Sequence, residues 1–469
     1  MMNKEQFLEN LTKLREERAL EKKKESSAVL IQALVRGFLS RRALEKSYLC
    51  DFDNVLTETF LDNWKEDKIL SCDVFKVAIP FLMNFRIHQE KYKVRFERLC
   101  RYINISTECD IPKYNYINIT LRKESSLTWI RHIKNILKIC LQILDSLKPD
   151  RHSDSIALAL YLHTLINLTS PKNWGILRAK GLDNMKNSFQ KICCNFQGEL
   201  IQKGFFDVMT NIIIKGTHRE DLCLKPVTLC AIMTLCTRPI IDGNFSKNIM
   251  SLFLSTVISV PALIYNLKSH APNCIQTLQS LNILEKILHI SHDYSWFKEF
   301  SSSVAGTKTL ALLANLVHLF CLEPTSSYPE MITVITILLQ QIPDALSAKG
   351  VFSQYHFLLG WYTPNSNDFT QTKNIPLIKK QLELLWSTNC LKILLSDILK
   401  EINHNFERIE FVSPSSISGT NLFRRALDRS TKSHVTKSGK CWKKLDSPEV
   451  IQIAEVCNMY FMLQQHCLN

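Results

Sequence analysis

Apolar positions recur along this chain at helical rather than strand spacing. The clearest case is 127–148, LTWIRHIKNILKICLQILDSLK, in which Ile130, Ile133, Leu137, Cys140, Leu144 and Leu147 follow one another at intervals of three and four. Those intervals hold successive side chains on one face of a helix and draw a continuous apolar stripe. Ser125 and Ser126 stand where an N-cap belongs, and Pro149 is placed to stop the helix. Segments 156–168 (IALALYLHTLINL) and 309–322 (TLALLANLVHLFCL) are apolar on nearly every side. Both are too short to span a bilayer and suit the inner layer of a stacked array. Residues 379–400 read as a further amphipathic helix or a close pair. The start of the chain differs. Residues 4–25 alternate acidic and basic groups at helical spacing, which predicts an exposed helix laced by pairs three and four apart. It runs straight into 28–44 and on to about Lys46.

Glycine is scarce, at 12 residues, and the Gly and Asn turns that strands require are few. The expected fold is therefore all-α: a long N-terminal helix followed by an armadillo- or HEAT-like helical array. No fixed sequence period is present, so the array is argued from helix density. Four regions follow: a charged N-terminal helix (1–46), an α-helical array (47–411), a basic Ser-rich linker (412–446), and the start of a further helical region (447–469).

Composition refines this picture. Hydrophobic residues make up 46% and charged ones 22%, as in folded soluble chains. The first residues carry no secretory core, and the 16 cysteines show no disulfide-framework spacing. Reduced thiols place the protein in the cytoplasm, with the nucleus second. Residues 249–267 hold no charge over a length close to that of a membrane span. Three Ser, one Thr, one Asn and Pro261 interrupt them, so two buried helices meeting at Pro261 are expected instead of a span. Net charge is +14, concentrated at 421–444. Nucleic acid is not favoured as a partner there, because only Phe423 and Trp442 accompany the basic residues. A solvated linker, with Ser430 as an unspecific phosphoacceptor, explains the run better; weak anion binding is the minor alternative.

Catalytic and cofactor motifs are not found. No phosphate-cradling glycine loop, HExxH or zinc-type cysteine spacing appears, and no cofactor is expected. His289 and His292 share a helix face without further ligand types nearby in sequence, and read as ordinary histidines. His163 and His318 lie inside apolar helices and read as core histidines.

The informative stretch is 28–44, AVLIQALVRGFLSRRAL. Ile31-Gln32, Arg36-Gly37 and Arg41 fill every position of the IQ motif (about 29–44), and Leu44 supplies its trailing apolar residue. This motif is the short helix that calmodulin-type proteins grip. Ile31, Val35 and Phe38 fall on one helix face, suited to an apolar groove lined by flexible methionines. Gln32 is free to hydrogen-bond a partner's backbone, and Arg36 and Arg41 suit an acidic rim. Gly37 costs about 1 kcal/mol in a helix relative to Ala, so folding alone would not select it. The competing interpretation is an amphipathic helix packed on its own domain, with Leu30, Leu34 and Leu39 filling further faces.

Residues 14–44 resemble the N-terminus of HECT-type ubiquitin-protein ligases that carry one IQ motif, the 3B branch and its 3C relatives. The resemblance continues in order through VFKVAIPFLMNFRI (74–87), FERLCRYI (96–103), 127–149, NWGILRAKG (173–181), ISVPALIYNL (258–267), LLGWY (358–362), KQLELLWS (380–387) and NLFRRAL (421–427). It implies an armadillo-like N-terminal region and a role in protein ubiquitination. In that family a C-terminal HECT domain carries ubiquitin as a cysteine thioester. Cys457 and Cys467 match no catalytic motif, so no catalytic residue is carried over, and the chain is expected to be the non-catalytic N-terminal half. The implied partners are calmodulin or a calmodulin-like protein and protein substrates, with a ubiquitin-conjugating enzyme only where a HECT domain follows. A stand-alone calmodulin-binding adaptor remains the alternative.

Overall fold

The computed structural model describes residues 4–60, 64, 69–178, 183–217, 224–241, 246–304, 306–322, 328–341, 370–387 and 456–459. Among these residues the secondary structure is helical, without strands. The chain divides into two compact units, one built from 1–143 with 160–200 and the other from 144–159 with 201–469.

The first unit begins with α1 (Lys4–Val55), followed by α2 (Ser71–Met83) and α3 (Glu90–Glu108), and includes most of α4 (Ser126–Ser146) and the second half of α5 (His152–Thr169). It ends in α6 (Lys186–Gln202). The N-terminal helix does not stop near Lys46 but continues to Val55. Tyr48, Leu49, Phe52 and Leu56 explain the extension, because their three- and four-residue spacing supplies a buried stripe. The Phe52 ring lies 4.6 Å from that of Phe81, which stacks at 5.8 Å on Tyr92. In α4, Ile133, Leu137, Cys140 and Leu144 are buried as the stripe predicts, and Trp129, His132 and Ile136 widen the face.

Most of the buried polar side chains described in this unit are paired, as a low-dielectric interior demands, the exceptions being Arg98 Nε and Asn167 Oδ1, which have no hydrogen-bond partner among the described residues. The indole nitrogens of Trp129 and Trp174 donate to the carbonyls of Tyr116 (3.1 Å) and Asn167 (2.7 Å). Asn115, fully buried, donates to the carbonyls of Thr107 and Cys109 and accepts from the Ile117 N–H. One side chain thereby closes α3 and opens the 3-10 turn Tyr116–Leu121. His132 sits 2.5 Å from the Tyr116 hydroxyl, and burial pushes its pKa down to about 3, so the neutral ring is the stable form. Gly175 marks a close approach of backbone to backbone. A Cβ there would lie 2.4 Å from the Glu108 carbonyl oxygen, a contact no other residue type permits. His163 departs from expectation. It is exposed on α5, its Nε2 3.2 Å from Asn167 and 3.9 Å from Glu108, because it faces away from the buried side of that helix.

The second unit contains α7 (Phe205–Gly216), α8 (Pro226–Ile241), α9 (Lys247–Phe253), α10 (Leu263–His270), α11 (Pro272–Ser280), α12 (Ile283–Ser291), α13 (Tyr294–Ser303), α14 (Gly306–Leu322), α15 (Tyr328–Gln340) and α16 (Thr370–Glu383). Every residue of α14 from Thr309 to Phe320 is buried, consistent with an inner-layer helix. The uncharged run 249–267 is bent by 69° between Lys247–Ile258 and Leu263–His270. Among the described residues no single helix is long and apolar enough to cross a membrane.

That bend frees backbone groups, and Asn315 of α14 takes them up. Its amide nitrogen donates to the carbonyls of Ile258 and Val260, each at 2.7 Å, and its oxygen accepts from the Ile264 N–H at 3.1 Å. The same oxygen accepts from Gln381 of α16 at 3.0 Å, and the Gln381 nitrogen also lies 3.2 Å from His318 Nδ1. His318 is the core histidine the sequence suggests. Burial, with help from the Lys268 charge, lowers its pKa to about 4. His289 is exposed on α12, its ring 6.2 Å from that of His292, which reaches Glu330 at 3.2 Å.

The expected helix over 379–400 is seen as α16 and a 3-10 turn at Leu384–Trp386; its remainder lies outside the described residues. So do the basic run 412–446, Ser430 and Cys467. Cys457 is exposed in the short described helix at 456–459.

Candidate functional site

The candidate site is the middle of α1. From Val29 to Leu44 every side chain is exposed. Ile31 is 60% exposed, Val35 49%, Phe38 56% and Leu44 63%, and Leu30, Leu34 and Leu39 are equally open. Among the described residues, the part of α1 that packs on its own unit is the stretch from Tyr48 onward, beyond the motif. Gln32, Arg36 and Arg41 are likewise exposed. Ile31, Val35 and Phe38 share a face, and the leucines carry the apolar surface well round the helix. Contiguous exposed apolar surface is uncommon on folded soluble chains.

Gly37 has no packing duty within the chain. A Cβ there would meet only the Arg41 side chain, at 3.2 Å from Nη1, and a long flexible side chain can move aside. This contrasts with Gly175, where fixed backbone forbids any side chain.

Below the motif, α1 is fastened firmly. The Glu45 carboxylate accepts from Lys91 at 2.5 Å and from the Tyr92 hydroxyl at 2.9 Å, with Arg86 at 3.5 Å. The hydrogen bond from Lys91, followed by that from Tyr92 and the nearby cations, holds the Glu45 pKa below its ordinary value against a desolvation cost. Burial, and then hydrogen bonds to Tyr48 and Glu45, raise the Tyr92 pKa, so its hydroxyl stays protonated and available to donate. Asp53 binds Arg95 at 2.5 Å and Arg98 at 2.7 Å, and Arg98 also donates to the Leu56 carbonyl. Sequence reasoning missed this anchor. Its signal was present, since Lys91, Arg95 and Arg98 repeat at four and three along one face of α3.

Among the described residues no cluster of catalytic side chains lies around the motif. Its chemistry is that of a helix whose exposed surface is both basic and apolar. Residues 25–45 match the family model described as the IQ calmodulin-binding motif. The chain is homologous to ubiquitin-protein ligase E3B. It is 32% identical to the human protein over 463 residues, which covers 97% of this chain and 43% of that protein. The mouse protein of the same name is also 32% identical, over 465 residues and the same shares. The chain thus spans less than half the length of these curated relatives. No solved structure matches it.

Proposed function

We propose that this chain is the partner-binding N-terminal part of an E3B-type ubiquitin ligase, and that α1 is its receptor for calmodulin or a calmodulin-like protein. The observation that carries the reading is the exposure of the apolar side chains of the IQ helix. Ile31, Val35, Phe38 and Leu44 enter the partner's apolar groove, Gln32 hydrogen-bonds its backbone, Gly37 admits close approach, and Arg36 and Arg41 meet its acidic rim. The array that follows offers surfaces to protein substrates. On this reading ubiquitin transfer itself is the work of a HECT domain, as in the ligases that the sequence resembles. The buried cysteines Cys100, Cys140 and Cys236, which are in no disulfide, support a reducing compartment, the cytoplasm first.

Capture of the whole chain on immobilised calmodulin, with and without calcium, tests the central step. Wild type is retained in at least one of the two conditions, and a variant carrying Ile31→Asp and Arg36→Glu is lost. Equal retention of both proteins would overturn the assignment of the site to the IQ helix.

A further inference from the structure

The stripe that carries Ile31, Val35 and Phe38 does not end with the motif. The same spacing continues through Arg42 and Lys46 to Leu49 and Asp53, without a break in α1. A groove opens along this continuation. Leu39, Arg42, Ala43 and Lys46 of α1 form one wall, and Lys91 and Arg95 of α3 form the other. The motif's binding face therefore points down its own helix into a wall of the protein body.

We propose that the acidic partner gripping the IQ helix also rests on this groove, so that the recognition surface is composite: motif plus the N-terminal half of α3. The inference rests on the reading of α1 as a calmodulin receptor. Geometry is its first support. Arg42 and Lys46 are separated by about 6 Å of helical rise, and a partner helix is about 10–12 Å across. A partner element seated beside Arg42 thus reaches the level of Lys46 and meets α3. Charge is the second support. Arg42 and Lys46 make no ion pair among the described residues. Each carboxylate at the groove is outnumbered, Glu45 by Arg86 and Lys91, Asp53 by Arg95 and Arg98. The Lys91 side chain remains 47% exposed after pairing. The surplus positive charge suits an acidic surface and no basic one.

Calorimetric titration of the whole chain with calmodulin separates the claims. Lys46→Glu combined with Lys91→Gln, both outside the matched motif, weakens binding about fivefold or more and flattens its dependence on salt. A control pair on exposed positions elsewhere, Lys123→Glu with Lys138→Gln, makes the same change in net charge and leaves affinity within about twofold. Thermal melts of each variant verify that the fold is retained. Equal affinity of the groove variant and wild type, or an equal loss in the control pair, overturns the composite surface while leaving the IQ reading intact. Absence of binding by wild type overturns both.

Discussion

Two glycines of this chain do opposite work. Gly175 is imposed from within, by a carbonyl 2.4 Å from where its Cβ would stand. Gly37 faces only a movable arginine, so its absence of a side chain serves nothing in the isolated chain. Gly37→Ala should therefore leave folding intact and favour the helix by up to about 1 kcal/mol. If the residue serves close approach by a partner, the same substitution weakens calmodulin capture several-fold. Circular dichroism and the capture assay read the two effects separately, and undiminished capture would remove Gly37 from the site. At this scale the sequence was a good guide to the motif, because eight residues at fixed spacing report a helix face directly. It was a poor guide to Glu45, Asp53, Arg95 and Arg98, whose meaning depends on α3 lying beside α1. His163 was misjudged for a related reason: an apolar helix still has one outward face, and local composition does not say which side it is on.

Among the elements, the interrupted run 249–267 shows how a broken helix is kept in a core. Pro261 ends one piece, and Ala262 adopts a left-handed backbone conformation (φ 56°) to start the next. The freed carbonyls and N–H find Asn315. Asn315→Leu fills similar space but strands those groups and the Gln381 amide, which should cost about 2–4 kcal/mol. Denaturant unfolding of the whole chain measures the loss; an unchanged midpoint would show that the network does not hold the bend. The break was legible in the sequence from Pro261 alone. Asn315 was not, since a polar residue in an apolar helix states that it needs partners without naming them. The end of α1 was misplaced for another physical reason: charge patterning stops at Lys46, whereas the helix is carried onward by burial of Tyr48, Phe52 and Leu56.

At the scale of the molecule, the first unit carries α1 as an exposed helical arm. The arm is held at its base by the Glu45 and Asp53 ion pairs and the aromatic cluster under Phe52, while the apolar side chains of its motif are exposed. Apolar surface left in water on a helix of marginal independent stability is costly to keep unless a partner covers it. Helix content and the homology to ubiquitin-protein ligase E3B were both legible from ordered sequence segments, because identity spread over 97% of the chain outweighs any single motif. The most direct measurement is amide hydrogen exchange along α1 in the whole chain, free and saturated with calmodulin. The account predicts rapid exchange over 25–44 in the free protein, slow exchange from Tyr48 onward, and strong protection of 25–46 when calmodulin is bound. Protection of 25–44 already present in the free chain, and unchanged by calmodulin, would contradict it.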